Sequence, residues 1–193
     1  MKTTKIKIYI DTNVVRDCTE GRDKDSIHLI ETVRDLKIEC VTSIFTLMEL
    51  LDTKKDDIFF NKKLSQKMEI NTIIRQRGNK DLNIYDFEEL SNYISNKFFT
   101  TYSFIQPVNI TRDESWDLAL YISRNSNMSA SDIIHLVTAW ESKCNILVTN
   151  DSQFIKSAAE LLKREKIKET QFKICQPVDA LKAIKKIFRG YYK

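Results

Sequence analysis

Two stretches decide the fold: Ile6-Lys-Ile-Tyr-Ile-Asp11 and Ile146-Leu-Val-Thr-Asn-Asp151. Each is a short, β-branched, apolar run that stops at an acid. Such runs mark strands buried on both faces of a parallel sheet. Ile38 to Thr42 and Phe172 to Cys175 are two more of the kind. Between them apolar residues recur at helical spacing: Ile27, Ile30, Val33 and Leu36; then Ile155, Ala158 and Leu162; then Leu181, Ile184 and Phe188 behind Pro177. Strands alternating with helices predict an α/β sandwich with a central parallel sheet.

Helix ends are also legible. Ser43 is a good N-cap for a helix over Ile44 to Leu51, which is apolar nearly all round and so reads as buried. Thr111 and Glu114 have capping-box spacing ahead of a helix holding Trp116 and Leu120. Ser129 opens a helix that runs to Glu141, and Gly190 closes the last one. From Asp52 to about Phe104 the chain changes character. Lys54, Lys55, Lys62, Lys63, Lys67, Arg75, Arg77 and Lys80 alternate with apolar residues, and Gly78 marks a stop. This predicts a helical arm over 52–104 inside a single domain of 1–193.

Composition excludes several classes. The chain has 193 residues, 42% hydrophobic and 30% charged, with 3 Gly and 2 Pro. A domain of this size buries on the order of 70% of its unfolded surface and needs no disulfides. Cys18, Cys40, Cys144 and Cys175 form no C-x-x-C pair, which fits reduced thiols and a cytoplasmic protein. The apolar run near the N-terminus is too short for a signal peptide, and no stretch approaches membrane-span length. A net charge of +4 fits a polyanionic partner if some carboxylates are sequestered on metal.

Four acids stand where a globular chain avoids them: Asp11 and Asp151 at strand ends, Glu49 as the only charge of its apolar helix, and Asp132 on another apolar helix. An unpaired buried carboxylate is costly. In open α/β sheets, ligands bind beyond the carboxyl ends of the strands. Helix capping accounts for Asp11 or Asp151 taken singly, and Ser129 with Asp132 has capping-box spacing. Asp132, His135 and Thr138 form one polar stripe, in which His135 reads as a hydrogen-bonded core histidine before a metal ligand. Four such acids together point to one site. Oxygen-only ligands favour Mg²⁺ or Mn²⁺, which polarise a phosphodiester and activate water.

At these residues the chain resembles the PIN-domain family, and especially its VapC-type toxin ribonucleases. The matching pieces are Tyr9-Ile-Asp-Thr-Asn13, Thr42-Ser-Ile-Phe-Thr-Leu-Met-Glu-Leu50, Ser131-Asp-Ile-Ile-His-Leu-Val-Thr-Ala139 and Leu147-Val-Thr-Asn-Asp-Ser-Gln-Phe154. They cover most of 5–51 and 110–180. The resemblance implies a three-layer α/β/α sandwich in which Asp11, Glu49, Asp132 and Asp151 bind the metal. Asn13 and Thr149 would lie close by, in contact with water at the cation. It also implies hydrolysis of RNA to 5′-phosphate and 3′-hydroxyl ends, a small antitoxin and a homodimer. The span from Glu49 to Asp132 is longer than in compact toxins, which places the excess in the arm.

Two other readings compete with the endoribonuclease: a non-catalytic RNA-binding PIN module and a structure-specific DNA nuclease. Lys62, Lys63 and Lys67 are candidate nucleic-acid contacts, and a solvated helix face is the alternative for them.

Overall fold

The computed structural model describes residues 6–165 and 172–189. Five strands form one sheet: β1 (Lys7–Ile10), β2 (Glu39–Ser43), β3 (Ile105–Val108), β4 (Ile146–Val148) and β5 (Lys173–Cys175), all parallel, in the order β3-β2-β1-β4-β5. β1 is central because its residues are apolar on both faces. Tyr9 packs into one cluster with Val41, Leu136, Val137 and Leu147, while Ile8 and Ile10 are buried on the opposite face. Helices flank the sheet on both sides as a three-layer sandwich.

On the Tyr9 side lie α6 (Asp113–Asn125) and α7 (Ala130–Glu141); α7 packs on β2 and β4. Elsewhere α1 (Thr12–Glu20) packs on α2 (Lys24–Asp35), and α2 packs on α9 (Pro177–Arg189). α8 (Ser152–Arg164) lies against β5. Pro107 is tolerated because β3 is an edge strand, where a missing ladder N–H costs nothing. All four cysteines are free and buried. Among the described residues no helix is long and apolar enough to cross a membrane.

The chain divides into two compact units, one of residues 1–46 with 104–193 and a second of Leu47–Ser103. The sequence predicts a helical arm over 52–104; the second unit starts at Leu47 and ends at Ser103. It holds most of α3 (Ile44–Ser65), then α4 (Ile70–Gln76), α5 (Ile84–Asn92) and a π-helical turn over Tyr93–Thr100. Its charges are largely spent on each other. Asp56 pairs with Arg77 and, at 2.7 Å, with Lys80. Lys54 meets Glu89 at 2.7 Å.

Three local expectations change. Ser43 does cap α3, its Oγ accepting the Phe45 N–H at 3.0 Å, but the helix runs on past Leu51 to Ser65. Its start is not apolar and buried all round: Ile44 and Met48, one turn apart, are 48% and 58% exposed. Thr111 forms no capping box with Glu114, because α6 starts one residue later, with Arg112 at the N-cap and no side-chain cap. Gly190 lies outside the described residues.

Candidate functional site

The strand order changes direction between β1 and β4, the switch point at which α/β sheets open a crevice. Ile10 is in register with Val148, so Asp11 and Thr149 leave the sheet side by side. The Asp11 N–H still donates to the Val148 carbonyl at 3.0 Å.

Asp11 is 5% exposed and is held by several donors. Its Oδ1 accepts the Thr12 N–H at 2.7 Å, which makes it the N-cap of α1. Its Oδ2 accepts from Asn13 Nδ2 at 2.8 Å and from the Thr149 hydroxyl at 2.6 Å. Thr149 Oγ1 also accepts from Asn13 Nδ2, at 2.9 Å, and from the Asp151 N–H, at 3.0 Å. Asn13 Oδ1 takes the Asn150 N–H at 2.9 Å. Asn13 and Thr149 are thus both hydrogen-bonded to Asp11 and to each other.

His135 Nε2 lies 3.3 Å from Asp11 Oδ1. Its other ring nitrogen, Nδ1, is 2.6 Å from the Tyr9 hydroxyl. That hydroxyl accepts the Ser43 N–H at 3.0 Å. Burial, and then the Asp11 charge, push Tyr9 well above the usual phenol range, so the hydroxyl keeps its proton. With Nδ1 accepting from that hydroxyl, the neutral tautomer consistent with the contacts is the one that points an Nε2 hydrogen towards Asp11. Tyr9, His135 and Asp11 thus form a buried relay. The expectation for His135, a hydrogen-bonded core histidine, matches this arrangement. Thr138, the third member of the stripe, donates to the Ile134 carbonyl at 2.6 Å.

Asp132 sits one turn before His135 on the same helix stripe. Its Oδ2 accepts the Ser129 N–H at 3.2 Å, and its own N–H donates to Ser129 Oγ at 3.1 Å, a full capping box. Asp151 caps α8, its Oδ1 accepting the N–H groups of Gln153 and Phe154 at 2.8 and 2.9 Å. Three of the four acids thus belong to the sheet unit, at the carboxyl edge. Glu49 belongs to the other unit, on α3.

The donor chemistry of Asp11, Asp132 and Asp151 suits a hard cation, since all are carboxylate oxygens. Each cap uses one oxygen of Asp132 or Asp151. Among the described residues no three His, Cys, Asp or Glu side chains stand together as a ready-made cage.

Of the candidate nucleic-acid contacts, Lys62 meets Asp86 at 3.1 Å and Lys63 meets Asp81 at 3.1 Å. Lys67 is exposed, with a left-handed backbone at φ 60°. Sequence reasoning missed Tyr9, Thr12, Thr42, Thr46 and Asn150. Thr42 and Thr46 lie 2.8 Å apart, Thr12 reaches Thr46 at 3.2 Å, and Asn150 Nδ2 donates to Asp17 at 2.7 Å. The available signal was polarity inside apolar runs, as with Thr42 near the end of β2.

No protein-family model matches the chain, and no curated protein matches it.

Proposed function

We propose that this chain is a metal-dependent endoribonuclease acting on RNA phosphodiesters with Mg²⁺ or Mn²⁺. The observation that carries the reading is Asp11. It is a buried carboxylate at the switch point of a parallel sheet, linked through Thr149 to Asp151 and through His135 to the helix of Asp132. The cation, once bound, supplies charge against the phosphate and acidifies a water.

The chain's own groups do the rest. Thr149, Asn13 and the Thr12 N–H fix the Asp11 carboxylate so that it need not reorganise during reaction. The Tyr9–His135 pair fixes its second side. Asp132 and Asp151 would each turn an oxygen inward while the other caps a helix. Water attacks phosphorus, the bond to the 3′ oxygen breaks, and that oxygen takes a proton. Glu49 joins the set as the lone charge of Ile44 to Leu51 and on the family resemblance. The toxin role, a small antitoxin and a homodimer rest on that resemblance, and a cytoplasmic setting rests on the cysteine pattern of the sequence.

One observation favours a non-catalytic RNA-binding module. The donors around Asp11 already fill most of the roughly four acceptor positions a carboxylate has. Cleavage decides between the readings. Purified protein should cut total RNA with Mg²⁺ or Mn²⁺, and Asp132→Asn should not. Equal cutting by Asp132→Asn would remove the acid set from the mechanism. Binding without cutting would favour the module. Faster cutting of single-stranded or flap DNA would favour a DNA nuclease.

A further inference from the structure

A groove of about 580 Å³ opens between the C-terminal end of α6 and one face of α8, along its length from Gln153 to Arg164. Arg124, Lys156 and Arg164 bring three cations to it, against one carboxylate, Glu160. Arg164 lies 3.4 Å from Glu165. Arg124 and Lys156 are exposed and, among the described residues, enter no ion pair. Polar walls complete it: Asn127 from the link between α6 and α7, and Gln153 and Ser157 from α8.

Its position is as informative as its charge. The Gln153 N–H is one of the two that cap onto Asp151. Asn127 lies two residues before Ser129, whose N–H is held by Asp132. Two of the groove's lining residues, Gln153 and Asn127, therefore stand two and five residues along the chain from Asp151 and Asp132, neither of which lines the groove itself. Among the described residues no aromatic ring lines it, so these walls offer a base nothing to stack on. Cations, amides and hydroxyls suit phosphate and sugar oxygens, contacts that position a strand without reading its sequence. Its volume is that of a single-ligand pocket, with room for a short stretch of one strand and not for a duplex.

We propose that this groove binds the phosphodiester backbone of a single nucleic-acid strand and leads it to the Asp132–Asp151 side of the site. The destination rests on the nuclease reading; the binding does not.

The test is fluorescence anisotropy of the full chain with a labelled single-stranded RNA of mixed sequence, in EDTA, across a salt series. A DNA strand of the same sequence runs in parallel. The Arg124→Glu/Lys156→Glu double variant should bind at least about tenfold more weakly at low salt. Its log–log salt slope should flatten by about 1.4, since each lost contact contributes about 0.7 for single strands. Lys24→Glu, an exposed charge reversal on α2, should leave both values unchanged. Such a result with either strand supports the groove, and the tighter strand identifies its source. An unaltered slope in the double variant, an equal loss in Lys24→Glu, or no binding by the wild type overturns it. Cleavage is scored separately with Mg²⁺. Groove-dependent binding without cleavage sinks the nuclease reading alone, and cleavage with groove-independent binding sinks the groove alone.

Discussion

Asp11, His135 and Tyr9 are each buried and polar, and each satisfies the next, so removing one leaves another stranded. Tyr9→Phe deletes the donor to His135 Nδ1 and the acceptor of the Ser43 N–H. An unsatisfied buried polar group costs about 1–3 kcal/mol. Tyr9→Phe should lower the unfolding free energy by that amount, read as a lower urea midpoint with an unchanged m-value; a midpoint equal to wild type would mean that the relay contributes nothing. The same logic shows why Asp132→Asn is a cleaner catalytic test than Asp11→Asn. An amide has one acceptor oxygen, whereas Asp11 accepts at both. The polar stripe on α7 was readable from its spacing of three. Tyr9 was not, because a tyrosine inside a β-branched run looks like core until its hydroxyl finds a partner over a hundred residues away.

Asp132 and Asp151 cap their helices, a structural role separate from the proposed metal binding. Asp151→Ala removes the N-cap of α8 and should cost about 1 kcal/mol, seen as a lower Tm. If Asp151 is also a metal ligand, Mn²⁺ should raise the Tm of the wild type and raise that of the variant less, by linkage. An equal rise in both would confine Asp151 to capping. Strands β1, β2, β4 and β5 were legible because buried parallel strands are nearly continuous apolar runs. β3 was not, because Pro107 breaks the pattern and only its edge position makes the strand tolerable. α1 was missed because Asp11 read as the end of a strand. It is also the N-cap of a nine-residue helix that closes at Gly21, left-handed at φ 68°. Thr111 failed as a cap for a smaller reason: the helix starts one residue further on.

Across the molecule, the division between an apolar sheet unit and a charge-rich helical arm was visible in composition alone. The pairing of the arm's charges was not, since partners such as Lys62 and Asp86 are far apart in sequence. Those pairs give the arm an acid lability. Burial pushes the Asp56 carboxyl up, but Arg77 and Lys80 more than offset it and hold it below its ordinary value. Lys63 lowers Asp81, and the Asn83 N–H lowers Asp86. A carboxyl depressed in the folded state stabilises above its unfolded value and loses that contribution as pH falls through the folded one. Hydrogen-exchange protection factors of α4 and α5 amides, taken relative to their intrinsic exchange rates at each pH, should therefore be smaller below the ordinary aspartate range than near neutrality; pH-independent protection factors would discount the pairs. The cysteines divide the molecule in another way. All four lie in the sheet unit, three of them in or beside its strands. Burial pushes Cys18 and Cys144 up to about 12 and Cys40 higher still, so the reactive thiolate is scarce while the fold is closed. Trp116 and Trp140 belong to the same unit. The protein thus carries built-in reporters, chemical and fluorescent, that register the sheet unit's opening and are silent about the arm.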